Sequence, residues 1–142
     1  MSDKHLLESS LELVASAEPR VVGRFYERLF EMRPDFRALF GRRSSEAQEK
    51  MLLEAISAVV ANVEDGEWLD RNLRALGAKH VDYGVTDDMY PVVAEALLAT
   101  LSDIAGPAWD DTLAGAWTRA LTAVASTMIA GADDARAAAA AE

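Results

Sequence analysis

The feature that most constrains this chain is the spacing of its apolar residues, which recur at intervals of three and four along every long segment rather than alternating at two. A strand buries one face with a period of two and an α-helix with a period near 3.6, so the pattern predicts an all-α chain. Val, Ile and Thr, which strands would concentrate, are scattered. Pro19, Pro34 and Pro107 each suit a first helical turn. Thr86 followed by Asp87 and Asp88 reads as an N-cap with acids at the positive end of the helix dipole, and Gly131 suits a C-terminal stop. These signals place helices over 3–16, 18–33, 34–40, 45–63, 67–81, 86–105 and 107–131. The remainder, 133–142, is nearly all alanine. It favours helix but offers no apolar face, so it is expected to fray or to extend the last helix weakly, as a tail on a domain spanning 1–132.

A chain of 142 residues suits one domain with a single core. Hydrophobic residues make up 51% of it, yet no run of about 18 uninterrupted apolar residues occurs. The net charge of -10 leaves no basic patch to neutralise phosphates, so nucleic acid and anionic membrane are not expected partners. None of the eight glycines falls as Gly-x-Gly, which removes the dinucleotide fingerprint. The absence of cysteine removes disulfides, thiolate metal sites and thiol catalysis. The first residues, Met1 to His5, lack the layout of a secretory signal, and a cytoplasmic protein is the expectation.

Three polar side chains interrupt apolar faces. Leu69, Leu73, Leu76 and His80 form one helical stripe whose last member is an imidazole. A histidine there is either a hydrogen-bonded core residue or the single axial nitrogen of a cofactor. With two histidines in the chain a multi-histidine metal site is excluded, whereas haem needs only one. Tyr26 lies on a face with Val22 and Phe30, where a buried phenol needs a hydrogen-bond partner. Gln48 shares a face with Leu52, Ile56 and Val63. It also stands three residues after Ser45, a capping-box spacing that would turn its amide back on Ser45, and both readings stand.

The order of these residues and what lies between them resembles the bacterial globins, the globin domain of flavohaemoglobins and the neuroglobins. The segments that carry the resemblance are Arg24 to Phe30, Arg33-Pro34-Asp35 through Leu39-Phe40, Val59 to Asp65, Leu76 to His80, His80-Val81-x-Tyr83-Gly84-Val85, Tyr90 to Val93, and Trp117. Together they cover about residues 8 to 131. The resemblance implies a globin fold, with helices crossing at roughly 50° around haem b, iron protoporphyrin IX. It implies His80 as the proximal iron ligand, Phe40 as the corner phenylalanine on the haem, and Leu52, Leu76, Val85 and Tyr90 as further haem contacts. It makes Tyr26 and Gln48, with Leu52, the distal residues facing a diatomic ligand such as O2, CO or NO. One charge-assisted hydrogen bond from a distal donor, worth about 1.5–3 kcal/mol, changes affinity on the order of ten- to a hundredfold.

The departures are as informative. The flavin and nicotinamide domains of flavohaemoglobins do not follow the globin segment, so catalysis requiring haem reduction is expected to use an external reductase. The tyrosine of that family's proximal network is matched by Tyr90, but its glutamate is not: the corresponding stretch reads Thr127-Met128-Ile129-Ala130-Gly131-Ala132. An imidazole without a carboxylate partner pushes less electron density to iron, which favours reversible binding over oxygen-bond cleavage. The stretch from Phe40 to Gln48 also leaves little room for a separate helix in that corner. The expected function is therefore reversible O2 binding for storage, delivery or scavenging, as a monomer or homodimer. The alternatives are nitric oxide dioxygenation or nitrite reduction with a separate reductase, a haem-based gas or redox sensor, and a haem-free interaction module.

Overall fold

Several helices begin where the chain supplies an acceptor for the first free backbone N–H groups. In the computed structural model, which describes residues 2–40 and 45–141, Ser2 Oγ accepts from the His5 N–H at 3.2 Å and opens α1, Asp3–Ala17. A turn at Pro19 and Arg20 leads to α2, Val21–Met32, three residues later than the proline alone suggested. Pro34 does start a helical turn, but of the tighter 3-10 type, Pro34–Phe40. Residues 41–44 lie outside the described residues, and with them the expectation about that corner. After them come α3, Ser45–Ala61, and α4, Gly66–Asp82, the latter capped by Asp65 accepting from the Trp68 N–H at 3.1 Å.

The α4–α5 loop departs from expectation. The Thr86 hydroxyl bonds Asp88 rather than capping, and α5 begins only at Met89 and runs to Ala105. Gly84, at φ 88°, and Gly106, at φ 56°, occupy the left-handed region that favours glycine, one in this loop and one ending α5. Pro107 lies in a one-turn 3-10 helix, Gly106–Ala108, and α6 starts beyond it, with Asp110 accepting from the Leu113 N–H at 2.9 Å. α6 runs from Asp111 to Ala140 without stopping at Gly131.

The core joins Leu7 and Val14 of α1, Phe25 and Leu29 of α2, Phe36 of the 3-10 helix, Leu97 and Leu101 of α5, and Trp117 of α6. Its polar atoms are satisfied within it. The Trp117 indole donates to Ser10 Oγ at 2.9 Å, Ser10 donates to the Leu6 carbonyl at 2.6 Å, and Thr100 donates to the Ala96 carbonyl at 2.8 Å. The stretch Met89–Ala108, α5 together with the 3-10 turn after it, has the length and the mean hydropathy, 1.2, of a membrane-spanning helix. Glu95 and Asp103 interrupt it, however, and Ala96, Leu97, Thr100 and Leu101 pack into the core, the ordinary place for a globular protein's most apolar helix.

Two consecutive helices matter most for a site. α3 packs on α1 and α2 while α4 packs on α6, and α3 and α4 share almost no contact with each other. Their apolar residues, Leu52 and Ile56 on one and Leu69 and Leu76 on the other, remain only partly buried. The fold thus holds apart two faces that the sequence made for burial.

The α4–α6 contact depends on glycine. A methyl group at Gly77 would overlap the Met128 carbonyl group, and one at Gly131 would overlap the Arg74 carbonyl group, so the two helix backbones touch. That is why Gly131, expected as a stop, lies buried inside α6. In an open helix Gly→Ala stabilises by about 0.5–1 kcal/mol. At Gly131 the overlap outweighs that gain, and Gly131→Ala is expected to destabilise by about 1–3 kcal/mol in urea unfolding. Gly115→Ala, on the same helix but meeting only the tip of the Arg119 side chain, is expected to stabilise. Equal effects of the two substitutions would contradict the backbone crossing.

Candidate functional site

His80 stands in the last turn of α4, half-buried, with Nδ1 2.8 Å from the Leu76 carbonyl oxygen. A carbonyl can only accept, so Nδ1 carries the proton and Nε2 keeps its lone pair, the state an iron ligand needs. Burial lowers the imidazole pKa, with the bond to Leu76 acting in the opposite direction. The ring is therefore neutral at neutral pH. Around it the chain folds tightly: the Tyr83 and Val85 N–H groups both donate to the His80 carbonyl, at 3.2 and 3.0 Å, and the Tyr83 ring stands 5.7 Å from the imidazole.

A second cluster gathers on α2, the 3-10 helix and α3. The Tyr26 ring lies 5.1 Å from Phe40 in an edge-to-face arrangement and 5.9 Å from Phe30, stacked on it. Gln48 Nε2 donates to the Tyr26 hydroxyl oxygen at 3.0 Å. The sequence left Gln48 between ligand donor and capping box, and the amide nitrogen goes to Tyr26; the Ser45 side chain lies outside the described residues. Tyr26 and Gln48, expected as parallel donors, are thus joined in series. The phenol oxygen accepts from the amide and keeps its own proton to donate elsewhere. Burial, the largest cause, raises the Tyr26 pKa and keeps that proton in place, while the Gln48 bond opposes the shift and the Glu49 charge adds to it.

The fold brings these groups toward one region. A Cβ at Gly84, in the loop just after His80, would meet Leu39 at 3.6 Å, so that loop lies against the 3-10 helix that ends in Phe40. Leu52, one turn beyond Gln48, packs partly buried on the core, and Leu76 and Val85 are partly buried on either side of His80. Tyr90 is the exception. Its hydroxyl is buried with no hydrogen-bond partner among the described residues, and burial raises its pKa. The stretch that corresponds to the family's glutamate, already read as lacking one, contributes buried Ala132, 1% exposed, and His80 turns to a backbone carbonyl.

A neutral imidazole with a free nitrogen lone pair, a hydroxyl donor held by an amide, and apolar faces kept apart are what a haem with one axial protein ligand requires. The family model for globins matches residues 23–128. The chain belongs to the globin family. It is 30% identical to a flavohaemoprotein of Rhizobium meliloti over 119 residues, which are 82% of this chain and 30% of that protein. The chain thus spans about a third of the length of such relatives. Among solved structures it superposes on an engineered carbene transferase from Rhodothermus marinus, provisionally described as a nitric oxide dioxygenase, with a TM-score of 0.83. That pair shares 25% identity and covers 97% of this chain and 96% of the other. A bacterial globin from Campylobacter jejuni matches at a TM-score of 0.80 and 22% identity, over 93% and 95% of the two chains. This globin's fold is all-α, and its family is a haem-binding, gas-interacting one.

Sequence reasoning missed Arg136 and Asp87. Arg136 on α6 pairs with Asp87 in the loop after His80 at 3.0 Å. The signal lay in the charges of the tail, Asp133, Asp134 and Arg136, which its alanines overshadowed.

The His80 shift has a thermodynamic consequence. Because its folded pKa lies below the ordinary 6.5, the unfolded chain binds more protons in the window between the two values. Stability is therefore present above pH 6.5 and falls as the pH drops through that window. In apoprotein, the denaturation midpoint of the wild type is expected to fall more steeply than that of His80→Ala as the pH drops from neutrality through the ordinary imidazole range. Parallel slopes would show that His80 is not a buried neutral imidazole.

Proposed function

We propose that this globin binds O2 reversibly on haem b, with His80 as the protein ligand to iron and Tyr26, held by Gln48, as the donor to the bound gas. The observation that carries the reading is the serial hydrogen bond from Gln48 to Tyr26, which leaves the phenol proton as the group free to donate. When bound, the haem supplies a ferrous iron with one open coordination position for a diatomic ligand. His80 presents Nε2, and its Nδ1–H, bonded to the Leu76 carbonyl, fixes tautomer and ring orientation. Phe40, Leu52, Leu76 and Val85 supply apolar contact and exclude water. Tyr26 donates to the ligand atom that gathers negative charge, and Gln48 keeps the phenol turned the right way.

The second reading is nitric oxide dioxygenation, in which NO and O2 become nitrate and a separate reductase returns one electron to the haem. It is favoured by the similarity to flavohaemoproteins. The proximal side favours binding instead. His80 bonds to a carbonyl rather than a carboxylate and the Tyr90 hydroxyl has no partner among the described residues, so the imidazole is weakly polarised.

His80→Ala is expected to abolish stable haem retention while the apoprotein stays helical; an unchanged Soret band in that variant would end the assignment. Tyr26→Phe is expected to speed O2 release by about ten- to a hundredfold in flash photolysis, with CO release changed much less, since CO gathers less charge on its outer atom. Gln48→Leu should accelerate O2 release less than Tyr26→Phe. The double variant should match Tyr26→Phe alone, because the amide acts through the phenol. Independent, multiplying effects would mean that both side chains reach the gas.

A further inference from the structure

We propose that Arg136 is a positioning residue for His80: the last turns of α6 reach over the α4–α5 loop and hold the end of the helix that carries the imidazole. This rests on the assignment of His80 as iron ligand. The guanidinium divides its donors between α6 and the loop. Nη1 donates to Asp87 at 3.0 Å and to Asp133 at 3.1 Å, and Nη2 donates to the Val85 carbonyl at 3.5 Å. The other side of Val85 faces His80, since its N–H donates to the His80 carbonyl at 3.0 Å. One residue therefore joins the guanidinium to the backbone of His80.

The loop has little else to order it. Every residue from Asp82 to Asp88 is exposed except Val85, and Asp88 precedes α5 without a side-chain cap. A segment with so little apolar burial opens easily, and its polar ties then decide its position. An exposed ion pair by itself contributes little. Arg136 differs in bonding two side chains and a main-chain carbonyl at once, a division of donors that a lysine ammonium does not reproduce. The brace is anchored where α6 cannot slide. It lies just beyond Gly131, where the α4 and α6 backbones touch, and Arg74 of α4 ties to Asp134 at 2.8 Å on the same stretch of α6. The alanine-rich end of the chain thus carries the clamp for the proximal loop.

The test uses haem-loaded protein and compares Arg136→Ala with Arg119→Ala, which removes a bidentate pair to Asp3 elsewhere on α6. Arg136→Ala is expected to release haem to an acceptor globin about three- to tenfold faster than Arg119→Ala. It should also shift the iron–histidine stretching band of the ferrous protein. Arg136→Lys should fall between wild type and Arg136→Ala, and Asp87→Asn should move both readouts in the direction of Arg136→Ala. In apoprotein, amide exchange at Tyr83, Gly84 and Val85 should quicken in Arg136→Ala. Haem loss and stretching band both equal to those of Arg119→Ala would overturn the proposal, and so would faster exchange with an unmoved band, since the clamp would then order the loop without reaching the imidazole. Failure of the His80 assignment is read separately, from a Soret band that survives in His80→Ala.

Discussion

The close crossing of α4 on α6 is the constraint on which the candidate site depends. α4 carries His80 but buries little of its own, Leu73 and Gly77 being its buried residues, and it leans on α6 rather than on α3. At Gly77 and Gly131 the absence of side chains lets backbone meet backbone, so the position of α4 is set by hard contact rather than by deformable side-chain packing. Gly77 lies three residues before His80, on nearly the same side of the helix as the preceding turn. That rigid support stands beside the stripe of Leu69, Leu76 and His80, which stays only partly buried.

The polar atoms of the region divide into those the chain satisfies and those it leaves. Ser10, Trp117 and Thr100 close their bonds within the core and require nothing further. Tyr26 accepts from Gln48 and retains its own proton, which no bond among the described residues claims. The Tyr90 hydroxyl has no partner among the described residues. A buried hydroxyl left without a partner costs about 1–3 kcal/mol, and among the described residues Tyr90, at the start of α5 beyond the His80 loop, is where that cost falls.

Much of this was legible beforehand, and the reasons are local. The 3.6 periodicity specifies helices without reference to the rest of the chain, and the stripe ending in His80 fixes which way that imidazole faces. The failures were tertiary. Gly131 reads as a stop because glycine usually ends helices, and only the approach of α4 turns it into a packing residue. Thr86 reads as a cap, but its hydroxyl is taken by Asp88. Gln48 offered two readings, a ligand donor or a capping box with Ser45, and its amide nitrogen meets a third group that neither named, Tyr26 on a different helix. Arg136 was hidden because its partners, Asp87 and Val85, are distant in the chain.

With His80 as the proposed iron ligand, the partner of its Nδ1–H bears on how the imidazole would act on iron. An imidazole whose Nδ1–H meets a carboxylate gains anionic character and strengthens the push that cleaves oxygen–oxygen bonds; one that meets a neutral carbonyl does so far less. Here the carbonyl belongs to Leu76, one turn back on the same helix, so the bond is part of α4 and would form in any similar helix ending in histidine. Nothing on α6 competes for it. The α6 residues facing α4 are instead small or apolar, Met128, Gly131 and Ala132, chosen for close approach. A glutamate side chain cannot occupy Gly131, where even a methyl group overlaps the Arg74 carbonyl group. At Gly131, tight helix packing therefore excludes a carboxylate side chain.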